Sequence, residues 1–150
     1  MDAYDKLEII GRNKIVQLFG DKHNLVCSEN KYDIYDISGV TTGILTDEPK
    51  AFFMEVKERS FKSHQFDTAF IEYLKLSHLK QLAKDYKADL FYCCNYSDGV
   101  TIVFNLSKIA ITDVYIKVES VKKKTVEDSV YQDKLFIELP LSLGKKYKLK

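Results

Sequence analysis

The segment Ala51-Phe52-Phe53-Met54-Glu55-Val56-Lys57-Glu58 is the strongest constraint on how this chain folds. An aromatic apolar run that short, following Pro49, reads as a strand. Phe52, Met54 and Val56 lie beside the charged residues, which makes the strand central. Yet it ends on Glu55-Val56-Lys57, and residues two apart on a strand share a face. A carboxylate and an ammonium are therefore carried on one face of a core strand. Upstream lies an acidic strand, Tyr32-Asp33-Ile34-Tyr35-Asp36-Ile37. If the two strands pair, an aspartate joins Glu55 and Lys57 at one sheet edge. Such a constellation suits a divalent cation and a phosphate.

The rest of the chain is consistent with a folded enzyme-sized unit. Its 150 residues are expected to form a single domain (1–150), with a less defined C-terminal portion from about 119. A hydrophobic content of 45% with 13% aromatics argues against disorder. With a net charge of +1, any affinity for nucleic acid must come from local clusters. Lys57-Glu58-Arg59 with Lys62 is one, Lys122-Lys123-Lys124 another, and Lys145, Lys146, Lys148 and Lys150 a third, this last read as a solvated tail.

Cys27, Cys93 and Cys94 are odd in number and contain no CxxC spacing, so they read as buried thiols of a reducing compartment. The acidic N-terminus has no signal-peptide core, and no apolar stretch approaches membrane-spanning length. The expectation is a soluble, cytoplasmic protein.

Periodicity predicts a helix over residues 2–19, with Tyr4, Leu7, Gly11, Ile15 and Leu18 as its buried stripe and Gly20 as its stop. Strands are predicted over 24–28 and 32–38, a loop over 39–50, and the central strand over 51–58. Phe66, Phe70, Ile71, Leu74, Leu79, Leu82 and Tyr86 recur at helical spacing and predict one long helix over 64–87. Aromatic and β-branched residues predict strands over 89–95 and 100–106, joined by the turn Ser97-Asp98-Gly99. Further strands are expected over 113–118 and 135–139, bracketing a polar segment over 119–133. The fold class is α/β, a central mixed sheet flanked by helices.

On a regular strand Asp33 and Asp36 point to opposite faces. Asp36 lies nearer the level of Glu55 and is the first choice, with Asp33 second. Magnesium takes one or two carboxylates with water and phosphate oxygens. Asp36 and Glu55 supply the carboxylates, and the Val56 carbonyl offers another oxygen. Lys57 would hold a water or a phosphate oxygen. Any charged strand can produce Glu-x-Lys, and simple cross-strand pairing explains it equally well when nothing surrounds it.

The order of helix, acidic strand, Glu55-Val56-Lys57 strand, long helix and strand resembles the PD-(D/E)XK nuclease superfamily, over roughly the first two-thirds of the chain. That superfamily has the restriction endonuclease-like fold and includes Holliday junction resolvases and small phage-type nucleases. The resemblance implies an Mg2+-dependent endo- or exodeoxyribonuclease, with Mn2+ able to substitute, acting on DNA as a homodimer. It implies Asp36, Glu55, Lys57 and Glu8 as catalytic residues. Asp36, Glu55, Val56 and Asp33 are the implied metal ligands. Glu8 matches an acidic residue on the family's first helix, and an ordinary glutamate near a helix N-terminus would look the same. No proline precedes either aspartate, a departure from the pattern.

Arg59 and Lys62 follow the strand directly and are read as contacts to the DNA backbone. Lys75 interrupts an apolar stripe, so it either snorkels to the rim or reaches a phosphate. Tyr92, Tyr96 and Phe104 are read as core residues in preference to base-stacking platforms. His23, His64 and His78 show no ligand spacing, and no P-loop, GxSxG or Rossmann glycine run occurs. A non-catalytic nucleic-acid-binding or protein-interaction module on the same fold is the alternative.

Overall fold

The computed structural model describes residues 3–20, 24–29, 34–41, 50–110, 114–122 and 131–148. Helix α1 (Ala3–Phe19) is followed by strands β1 (Asn24–Cys27), β2 (Ile37–Thr41) and β3 (Lys50–Glu58). Then come β4 (Thr68–Glu72), helix α2 (Tyr73–Asp85), β5 (Asp89–Asn95) and β6 (Val100–Asn105). The chain closes with β7 (Tyr115–Lys122), β8 (Tyr131–Pro140), a 3-10 turn (Leu141–Leu143) and β9 (Lys145–Lys148).

A six-stranded mixed sheet runs β1-β2-β3-β5-β6-β9, and a three-stranded antiparallel sheet runs β4-β8-β7. β3 and β5 are parallel, Phe52 opposite Asp89 through Glu58 opposite Asn95. A parallel pair needs a crossover, and β4 with α2 provides it.

Alternation along β3 divides the core in two. Phe52, Met54 and Val56 pack with Ile15 and Phe19 of α1, Ile37, Phe91 and Cys93. Phe53 packs on the other face, where Leu90, Tyr92, Cys94, Ile102 and Phe104 meet Leu79 and Ala83 of α2. Ile71 of β4 and Ile137 and Leu139 of β8 complete that side. Burying such side chains contributes roughly 1.5–3 kcal/mol each. By the same period of two, Glu55 and Lys57 belong to the face of Phe53, beneath the second sheet.

α1 seats closely on β3 because residue 11 is glycine. A β-carbon there would lie 3.2 Å from Val56 Cγ1 and 3.6 Å from Asn95 Nδ2. Buried Asn95 donates to the Gly11 carbonyl at 3.2 Å and accepts from the Thr101 hydroxyl at 2.6 Å, tying helix to sheet. The stripe holds at Gly11 and Ile15, whereas Leu7 is 48% exposed and Phe19 is buried instead.

The long helix expected over 64–87 is replaced by a strand and a shorter helix. Residues spaced four apart, Phe66, Phe70 and Leu74, also fit an alternating pattern. β4 pairs with β8, which lies far along the sequence, and buries the alternate residues Ala69 and Ile71 in the core with Leu79 and Ala83 of α2. Non-local pairing overrode local helical spacing.

The second strand begins at Ile37, not near residue 32, because the backbone bends through 34–36. It takes in Gly39, which was expected in a loop. The hairpin turn after β5 forms as expected, with Gly99 at φ +78°. β7 and β8 extend into the segment read as polar connection. The basic tail is a strand, β9, pairing with β6 from Val100 opposite Lys148 to Val103 opposite Lys145. Asp33, Lys123, Lys124 and Lys150 lie outside the described residues.

Candidate active site

β2 and β3 pair only as far as Ile37 opposite Met54. Beyond that point the chain turns away, and the edge of β3 from Glu55 onward is left to side chains. Asp36 fills the gap. Its backbone N–H donates to the Met54 carbonyl at 2.9 Å, and its Oδ2 accepts the Val56 N–H at 2.7 Å. The N–H and C=O of one strand residue project to the same edge. The Val56 carbonyl therefore faces this gap as well.

Asp36 Oδ1 accepts from Arg12 of α1, 2.9 Å from Nη2 and 3.3 Å from Nε. Arg12 also donates to the Ser28 carbonyl at 2.8 Å, fixing its guanidinium between helix and strand end. Asp36 is 8% exposed and Glu55 6%. The Glu55 carboxyl is pushed up from 4.5 to about 8, first by burial, then by the Asp36 charge and a hydrogen bond to it. The Lys75 and Lys57 ammonium groups pull the other way. Lys75 Nζ lies 3.5 Å from Glu55 Oε2, an oxygen that is buried and receives no hydrogen bond. Helix α2 starts at Tyr73, so Lys75 sits in its first turn and points across to β3 instead of snorkelling to the rim.

Two hollows open beside these groups. The larger, about 360 Å³, lies under the second sheet and is lined by Glu55, Lys57, Arg59, Glu72, Lys75 and Tyr92 among others. The smaller, about 70 Å³, lies against α1 and is lined by Leu7, Glu8, Gly11, Glu55, Val56, Lys57 and Glu58. Glu55 and Lys57 border both. Glu8 thus borders the smaller hollow from α1, one helical turn before Arg12. Glu58 is ion-paired with Lys14, and its second carboxylate oxygen is buried without a hydrogen bond.

Arg59 is turned inward. Its Nη2 donates to the Phe70 carbonyl and the Tyr92 hydroxyl, each at 3.1 Å, and its guanidinium lies 4.4 Å over the Phe70 ring. Lys62 is exposed on the segment after β3. Tyr92, Tyr96 and Phe104 are buried, in keeping with a packing role.

The donor set fits a hard divalent cation taken up with water and phosphate. Two carboxyls share one buried gap, one oxygen of Glu55 has no hydrogen-bond donor, and a backbone carbonyl faces them. Among the described residues no group of three His, Cys, Asp or Glu side chains is placed to hold a metal. Any further ligand would thus come from the Val56 carbonyl, water, substrate or Asp33.

Arg12 was missed by sequence reasoning. Glu8 and Arg12 stand four apart on a helix, which signals a local pair. Nothing local signals a partner at position 36.

No protein-family model and no curated protein sequence matches the chain. Among solved structures, the chain is similar to that of Hjc, a Holliday junction resolvase of the archaeal hyperthermophile Archaeoglobus fulgidus. The TM-score is 0.53 at 12% identity, over 89% of this chain and 93% of that one. The central mixed sheet flanked by helices is therefore the restriction endonuclease-like fold, shared with that resolvase.

Proposed function

We propose that the chain is a metal-dependent DNA nuclease that hydrolyses phosphodiester bonds, selective for branched structures in the manner of a resolvase. The observation that carries the reading is the meeting of Asp36 and Glu55 at the open edge of β3, beside Lys57 and Lys75. The fold shared with the Archaeoglobus enzyme supports it, and at 12% identity lends fold support only.

In this reading Asp36, Glu55 and the Val56 carbonyl hold Mg2+ or Mn2+, with Asp33 as a further candidate. A cation there would acidify a coordinated water and neutralise charge on the scissile phosphate. Lys57 holds the water or a phosphate oxygen against that pair, and Glu8 closes the α1 side of the cleft. Lys75 balances the Glu55 charge and reaches phosphate, and Lys62 grips the backbone outside the cut. Arg59 acts from within, bracing the floor of the cleft through Phe70 and Tyr92. Shape selection and action as a homodimer complete the proposal.

The test is cleavage of a four-way junction, a linear duplex and a single strand with Mg2+ or Mn2+. Metal-dependent cutting, preferentially of the junction, is expected, together with its loss in Glu55→Gln and Lys57→Ala. No cutting of any substrate by the wild type would overturn the proposal.

One observation favours a second reading, a non-catalytic nucleic-acid-binding module. Arg12 already neutralises Asp36. Under that reading junction binding persists without divalent cations and no strand is cut.

A further inference from the structure

A third hollow, about 330 Å³, adjoins the candidate active site and shares Arg59 and Phe70 with it. Its remaining lining includes Phe61, Gln65, Phe66, Tyr96 and Glu138. Phe66 is 51% exposed, although it sits in a run of ring contacts. It meets Phe61 edge-on at 5.0 Å, and Phe61 leans on Tyr96 at 5.8 Å. A half-exposed aromatic braced by others offers a firm π surface.

The polar rim sets Arg59 and Lys117 against Glu119 and Glu138, so its described residues offer a phosphate no surplus of positive charge. Glu119 and Glu138 share a single ammonium, that of Lys117, at 2.9 and 3.8 Å. The Arg59 guanidinium is engaged by the Phe70 carbonyl and the Tyr92 hydroxyl. The Glu138 carboxylate, 3.8 Å from the Lys117 ammonium, and the Gln65 amide remain, groups that pair with the amino and imino edge of a nucleobase. The neighbouring hollow, by contrast, carries Lys57 and Lys75 and suits the phosphate.

We infer that this hollow binds one unpaired nucleobase, stacked on Phe66, of the strand whose phosphate lies at Glu55 and Lys57. The inference rests on the nuclease reading and extends it. The preferred substrate has a nucleotide displaced from its duplex beside the scissile bond. Phe66 and Gln65 select that feature, whereas Lys57 and Lys75 act on any phosphate.

The experiment measures binding in EDTA, where no cutting occurs, of a fluorescent duplex carrying one unpaired nucleotide. A second duplex carries an abasic residue at that position. The abasic change is expected to weaken binding by the wild type about tenfold, on the scale of one base–aromatic stack. Phe66→Ala should weaken binding of the intact duplex by about the same factor and leave the abasic one unchanged. Phe66→Tyr should restore the preference. Phe66 is half exposed, so the variant folds, and thermal unfolding checks this. If Phe66→Ala weakens both duplexes equally or neither, while Lys62→Ala weakens both, the pocket is overturned and the nuclease reading stands. If the wild type binds neither duplex in EDTA and cuts neither with Mn2+, the nuclease reading falls and takes the pocket with it.

Discussion

Arg12 and Asp36 are joined by a 2.9 Å ion pair that bridges α1 and the point where β2 leaves β3. The other oxygen of Asp36 replaces a strand partner for Val56. One side chain thus mends a broken sheet edge while holding a helix to it. Both groups are mostly buried, so neither charge is well solvated without the other.

Arg12→Ala should therefore lower the unfolding free energy by roughly 2–3 kcal/mol, toward the low end for breaking a buried pair. Urea titration measures this. With the guanidinium gone, a divalent cation becomes the available counter-charge. Mn2+ should accordingly raise the melting temperature of Arg12→Ala more than that of the wild type. Equal shifts would show that Arg12 does not compete for the site.

Glu55 makes stability depend on pH. Its carboxyl is pushed up to about 8 in the folded chain, above its ordinary 4.5, so the folded state keeps a proton that the unfolded state releases. The contribution is fully present below about 4.5 and is lost as pH rises through about 8. Glu55→Gln stays neutral throughout and should show a flatter profile, gaining on the wild type toward high pH. Urea unfolding at a series of pH values tests the sign. Cation uptake needs the ionised form, so Mn2+ affinity should climb over the same window.

Lys57→Ala should reduce cleavage about 10²–10³-fold with little change in junction binding, as expected for a group that acts on developing charge. Lys75→Ala should behave differently. Because Lys75 holds the Glu55 carboxyl down, its removal moves the alkaline onset of activity to higher pH. Rate–pH profiles of the two variants separate the roles.

Gly11→Val should cost roughly 1–3 kcal/mol, because even a β-carbon there approaches Val56 Cγ1 to 3.2 Å. The larger side chain would push α1 off β3 and displace Glu8 and Arg12 with it. Denaturation and cleavage should therefore fail together in this variant.

The central strands were legible because burial on both faces leaves a dense apolar signature. β3 and β5 fell within a residue of where Phe52-Phe53-Met54 and Leu90-Phe91-Tyr92 place them. Elements that depend on distant partners were not. β4 reads as helix until β8 is present to pair with Ala69 and Ile71, and β9 reads as a solvated tail until β6 receives it. Within the cleft, the Glu55 and Lys57 pair follows from strand period alone. Asp36 was reachable beside Glu55 as one of two aspartates, although it lies in a bend and not in a regular strand. Arg12 has no local signal that names Asp36, and Lys75 was ambiguous because its helix was drawn too long.

The groups at the gap come from position 12 on α1, 36 before β2, 55 and 57 on β3, and 75 on α2. Arg12 does not reach Asp36 until α1 has packed on the sheet, and Lys75 does not reach Glu55 until the β4–α2 crossover has closed. Contacts so far apart in sequence form late and together. A nascent or locally opened chain therefore carries every one of these residues without the geometry that joins them, so the candidate site exists only in the folded chain.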